Sequence, residues 1–163
     1  MKKSLITLLF FFLVKISFAQ TAPAIIDSNA IPAFSITKLP DSTDYTQADL
    51  KKKKATIIMI FSPDCEHCQR ETDSLIAHID LFKDAQILMV SPLDYTIILK
   101  FYNDYHIANY HNITMARDHT YTLGLFYKVH SYPSIHVYDK NGLFKKTFEG
   151  SYPVQKIADA MYP

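Results

Sequence analysis

Six consecutive residues, Thr56 to Phe61 (TIIMIF), are apolar or β-branched at every position. Such a run fits a strand buried on both faces, the usual state of a strand in a sheet covered by helices. Ser62-Pro63-Asp64 follows at once and reads as a helix start, with Asp64 as the expected N-cap. Cys65-Glu66-His67-Cys68 then falls in the first turns of that helix. The chain must therefore hold a C-x-x-C pair at the exit of a buried strand. These are the only two cysteines in 163 residues. The loop that they would close is too small to staple a fold. Their presence points to chemistry or to a metal.

The rest of the sequence supplies the sheet and helices around that unit. Ala33 to Lys38 reads as a short edge strand, and residues 41–54 are polar, with a short helical turn ending near Lys54. The helix after Asp64 is expected to run to Phe82, burying Leu75, Ile76, Ile79 and Phe82 on one stripe. Ala85 to Ser91 is a second buried strand. Leu93, Ile97, Ile98, Phe101 and Tyr105 then recur at helical spacing. Asn112 to Arg117 is a third strand and Thr120 to Val129 a short helix. Ile135 to Tyr138 and Leu143 to Phe148 flank Asp139-Lys140-Asn141-Gly142 as a hairpin. Val154 to Met161 closes the chain as a helix. The fold class is α/β, a central mixed β-sheet flanked by helices. With 48% hydrophobic residues, one domain can close a core.

The first nineteen residues read as an export signal. Lys2 and Lys3 precede a ten-residue run from Leu5 to Val14 that is apolar apart from Thr7, and Ser17-Phe18-Ala19 has the small residues of a cleavage site. A spanning helix needs about 20 apolar residues, and Lys15 interrupts this run. The expected organisation is a signal peptide over 1–19, an N-terminal tail over 20–30 and a domain over 31–163, periplasmic or secreted after cleavage near Ala19. Cleavage leaves 144 residues with 14 basic and 16 acidic side chains. That balance gives no case for nucleic acid as a partner. The three glycines, Gly124, Gly142 and Gly150, exclude a dinucleotide fingerprint and a phosphate loop. Lys51 to Lys54 reads as a solvated turn before the buried strand, and the eleven tyrosines as amphipathic surface packing.

The pair has specific chemistry in this setting. Unpaired amides and the helix dipole favour a thiolate at the helix start. Cys65 is the expected nucleophile toward a disulfide. Cys68, one turn deeper, is expected to resolve the mixed disulfide. His67, when protonated, would add positive charge beside the thiolate, and Glu66 would oppose it. A zinc site needs about four ligands. One C-x-x-C gives two, and His106, His111 and His119 are well away in sequence. The expectation is no metal and no cofactor. The absence of a G-x-S-x-G elbow leaves a serine hydrolase poorly supported.

On these residues the chain resembles the thioredoxin-like superfamily, in particular exported reductases of the TlpA/ResA and DsbE type. The resemblance covers roughly residues 31 to 162. It rests on Ile31-Pro32-Ala33-Phe34, on Phe61 to Cys68, on Glu71 after the second cysteine, and on Val129-His130-Ser131-Tyr132-Pro133-Ser134 before a strand and an Asp-x-x-Gly turn. It implies a cis bond at Pro133 and a substrate-pairing role for the backbone of Tyr132. It also implies disulfide-containing protein substrates, with reduction favoured over oxidation. Reduction outside the cytoplasm needs electrons, so a membrane electron donor is implied. The chain departs from the family at several points. Asp64 stands where many members carry tryptophan. Met59 stands where cytoplasmic thioredoxins bury a carboxylate, and Asp73 replaces the helix-kinking proline. Histidine before the second cysteine resembles the oxidising DsbA branch, but the chain has no room for that branch's helical insertion. A peroxidase would carry Pro-x-x-x-Thr-x-x-Cys, and Phe61 and Ser62 stand in that stretch instead. A DsbA-like oxidase, a non-catalytic metal-handling module and a chaperone-like substrate-binding domain remain the alternatives.

Overall fold

The strand Ala55–Ile60 is buried along its whole length and runs parallel to Ala85–Ser91, which is buried along its whole length too. These two, β3 and β4, form the middle of a seven-stranded sheet in the computed structural model, which describes residues 29–162. The other strands are β1 (Ser35–Lys38), β2 (Asp44–Thr46), β5 (Ile113–Arg117), β6 (Ser134–Tyr138) and β7 (Phe144–Glu149). The helices are α1 (Glu66–Ala77), α2 (Tyr95–Asp104), α3 (Thr122–Phe126) and α4 (Val154–Asp159). The strand order is β2-β1-β5-β4-β3-β6-β7. Strands β3, β4 and β5 are parallel, and every other pairing is antiparallel, so the sheet is mixed as expected. The two edges are blunt. β2 has three residues, and β7 carries the exposed Lys145 and Lys146.

Alternation along β3 divides the core. Ile57, Met59 and Phe61 pack with α1, α2 and α4 on one face, while Ile58 and Ile60 pack with Leu123 of α3 on the other. No helix among the described residues is long and apolar enough to cross a membrane. The expected signal peptide, and the tail up to residue 28, lie outside the described residues. Asn29 and Ala30, expected in the tail, pair with Phe144 and Leu143.

Several expected elements differ. The strand expected at an edge, β1, is interior, because the polar segment after it contributes β2. Tyr45 of β2 stacks on Phe34 at 6.3 Å, a contact that the polar composition around it hides. The long helix after the cysteines ends at Ala77, and Ile79–Phe82 continues as a 3-10 turn that still buries Phe82. Ile97, expected on the buried stripe of α2, is 40% exposed, whereas Ile98 and Phe101 are buried. The hairpin turn holds: Gly142 has φ +76° and donates to the Asp139 carbonyl at 2.9 Å.

His136 of β6 is buried beneath the Tyr127 ring, with centroids 3.7 Å apart. Burial lowers its pKa from 6.5 to about 4. The unfolded chain therefore takes up a proton in that interval that the folded chain refuses. Stability is expected to fall by roughly 1 kcal/mol per pH unit as pH drops from 6.5 toward about 4. Urea unfolding of wild type and His136→Gln at pH 7 and pH 4.5 checks this. Parallel losses in both proteins would remove His136 as the cause.

Candidate active site

Pro63 sets where α1 begins. The Cys65 amide donates to the Ser62 carbonyl at 3.1 Å, closing a turn with proline at its second position. The helix then starts one residue later than the sequence suggests. Cys65, not Asp64, is the N-cap, with extended backbone at φ −89° and ψ 114°. Its carbonyl accepts the Gln69 amide at 3.0 Å, and Asp64 is exposed. This still leaves the Cys65 sulfur at the N-terminus of a twelve-residue helix.

The two sulfurs occupy different environments. Cys65 is half-buried and Cys68 is fully buried, in the core cluster that holds Met59 and Phe61. Burial, and hydrogen bonding with Cys65, push the Cys68 thiol well above the ordinary thiol range. Across the site, the Tyr132 carbonyl lies 3.8 Å from Cys65 Sγ and accepts from it. The Tyr132–Pro133 bond is cis, and so is Leu39–Pro40, at which the sequence gives no hint. The Tyr132 amide makes no hydrogen bond among the described residues. The structure thus brings together Cys65, Cys68, Tyr132 and Pro133. The Tyr132 hydroxyl donates to that of Tyr121 at 3.4 Å.

His67 stands apart from this group. It is exposed, and Arg70 donates to its Nδ1 at 2.9 Å. A guanidinium can only donate, so this nitrogen is the acceptor in this arrangement. The fixed positive charge on that face belongs to Arg70, which also lies 3.5 Å from Glu66.

Glu71 is a site residue that the periodicity could have revealed as such. Cys68, Glu71, Thr72 and Leu75 are the buried residues of α1, spaced three and four apart. A carboxylate in that stripe needs an explanation. Glu71 is 2% exposed. One oxygen, Oε2, accepts the Tyr152 amide at 2.9 Å, and Oε1 has no partner. Burial raises its pKa, and its charge contributes to the rise at Cys68. The segment before α4 docks here twice, since Ser151 also donates to the His67 carbonyl at 3.0 Å.

A buried-strand C-x-x-C at a helix N-terminus, faced by a cis X-Pro bond, defines a thioredoxin-like dithiol protein. The solved structures that it resembles share that fold. A secreted disulfide oxidoreductase of Mycobacterium tuberculosis homologous to E. coli DsbE superposes with a TM-score of 0.66 at 17% identity, over 78% of this chain and 93% of that one. A thioredoxin candidate from Neisseria meningitidis gives 0.64 at 27% identity, over 82% and 91%. StoA from Bacillus subtilis gives 0.59 at 16% identity, over 82% and 99%. No curated protein matches the chain. Residues 28–147 match the AhpC/TSA family model, and the chain belongs to that family.

Proposed function

We propose that this protein is an extracytoplasmic thiol–disulfide oxidoreductase that reduces disulfides in partner proteins. The observation that carries the reading is the asymmetry of the dithiol: a half-exposed Cys65 beside an open backbone edge, and a buried Cys68 that retains its proton. The Cys65 thiolate attacks one sulfur of the substrate disulfide, forming a mixed disulfide and releasing one substrate thiolate. Cys65 then carries no charge, so one of the causes raising the Cys68 pKa is gone. Cys68 gives its proton to Glu71, whose buried carboxylate has a raised pKa and an unpartnered oxygen to receive it. The Cys68 thiolate attacks Cys65 Sγ, and the second substrate thiolate leaves. Two electrons have passed to the substrate and the enzyme holds a Cys65–Cys68 disulfide. A membrane dithiol donor returns it to the reduced state. His67 is assigned a minor tuning role on the exposed side of the pair. The reducing direction draws support from the family resemblance of residues 31 to 162. The location draws support from the leader-like residues 1–19.

Insulin reduction with dithiothreitol as recycling donor, together with equilibration in glutathione buffers, tests the reading. Turnover and a potential below about −200 mV are expected. A potential near −120 mV, the range of about the strongest protein oxidants, would replace reduction with oxidation. Stoichiometric metal in the purified protein without insulin turnover would favour the metal-handling alternative. A mature N-terminus at Gln20 in a periplasmic or secreted fraction tests the location.

A further inference from the structure

The segment that presents the Tyr132 backbone to Cys65 is fastened from one place. Glu149, the last residue of β7, pairs in register with Ser134 of β6. Its Oε1 accepts from Ser134 Oγ at 2.9 Å, and its Oε2 accepts from Ser131 Oγ at 2.8 Å. The two serines flank Tyr132–Pro133 on either side. The next residue, Gly150, donates its amide to the Pro133 carbonyl at 2.7 Å. Three hydrogen bonds from two adjacent residues thus hold residues 131–134.

The directions of these bonds are fixed by chemistry. An ionised carboxylate only accepts, so both serine protons point at Glu149. Ser134 Oγ then has only lone pairs left for His136 Nε2, 3.0 Å away, which must donate. His136 Nδ1 is left to accept from Thr147 Oγ1 at 2.9 Å. Glu149 therefore sets the polarity of a chain of bonds running from β7 through β6 to the loop. An amide in its place can accept from one serine but must donate to the other. That reverses one link and leaves a hydroxyl proton without its acceptor.

We infer that Glu149 is a positioning residue for substrate: its carboxylate holds both flanks of the Tyr132 backbone edge, so that an extended peptide carrying the target disulfide is received in line with Cys65. This rests on the proposed disulfide chemistry of the site. Glu149 touches neither sulfur, so its effect belongs to binding and not to the thiol exchange. Because Glu149 is exposed, the effect is that of about one charge-assisted hydrogen bond partly screened by water.

Glu149→Gln and Ser131→Ala, singly and together, provide the test. With a fluorogenic peptide disulfide, Glu149→Gln is expected to raise KM about fivefold and to change kcat by less than about twofold. Iodoacetamide alkylation of Cys65 should keep its wild-type rate. The double variant should lose less than the two singles combined, because Ser131 and Glu149 share a bond that either substitution weakens. Independently of any activity, the Gly150 amide should exchange with deuterium about tenfold faster in Glu149→Gln, as its bond to Pro133 opens more often. An unchanged KM, unchanged Gly150 exchange, or fully additive losses would each overturn the inference. A wild-type protein that fails to reduce the peptide would overturn the disulfide reading itself, before any variant is compared, and Gly150 exchange would still decide whether Glu149 holds the loop.

Discussion

Cys68→Ser is expected to turn the protein into a trap. With Cys65 left to attack and no second thiol to release it, mixed disulfides with substrate proteins should accumulate, and insulin turnover should fall by at least about a hundredfold. Cys65→Ser should lose turnover as fully and trap nothing. The asymmetry follows from burial: Cys68 is 0% exposed and keeps its proton, while Cys65 sits half-buried at the open end of α1. Non-reducing gels after incubation with oxidised insulin, followed by mass analysis of the adducts, read the result. Equal trapping by the two variants would reverse or abolish the division of roles.

Glu71→Gln is expected to act in opposite directions on rate and on stability. Without a carboxylate to take the Cys68 proton, resolution of the mixed disulfide should slow by roughly a hundredfold in single-turnover experiments. Initial alkylation of Cys65 should hardly change. Stability moves the other way. Burial raises the folded pKa of Glu71 above its ordinary 4.5. Its contribution is therefore most favourable below that value and is lost as pH rises through the raised folded pKa. Glutamine stays neutral throughout. The variant should melt roughly 3 °C above wild type at pH 8 and show no such gain at pH 4. A slower and less stable variant would mark Glu71 as a packing residue instead.

Those expectations show where the sequence speaks clearly. Strong signals came from patterns that only one environment tolerates. The apolar, β-branched run of Thr56 to Phe61 fitted a doubly covered strand and fell on β3 within one residue at each end, and Ala85 to Ser91 matched β4 at both ends. The Asp139–Gly142 turn needed a residue free to take positive φ. What misled was local chemistry settled by neighbours. Asp64 is a good cap by type, but the Pro63 turn closes on Cys65 and moves the cap one place along. Asp44 to Thr46 is polar, yet a single ring contact and an available edge make it a strand. The site was legible where it rests on the C-x-x-C and on the resemblance around Tyr132 and Pro133. His67 joined the expected group by adjacency in sequence, whereas the helix turns it toward Arg70 and water. Glu149 lies 81 to 84 residues beyond the cysteines. Only strand pairing brings it beside Ser134, and no spacing rule along the chain carries that information.

The blunt sheet edges bear on how such a protein survives its own task. A protein that receives extended polypeptide at an open backbone edge is exposed to mispairing wherever else it offers one. β7 presents Lys145 and Lys146 to solvent, and β2 is only three residues long. Both features discourage a passing strand from adding to the sheet. On the proposed function, Ser131 to Pro133, the stretch next to Cys65, is then the favoured place for a partner chain to lie down. Discrimination against self-association and selection of the reactive orientation are thus two outcomes of the same distribution of unpaired backbone.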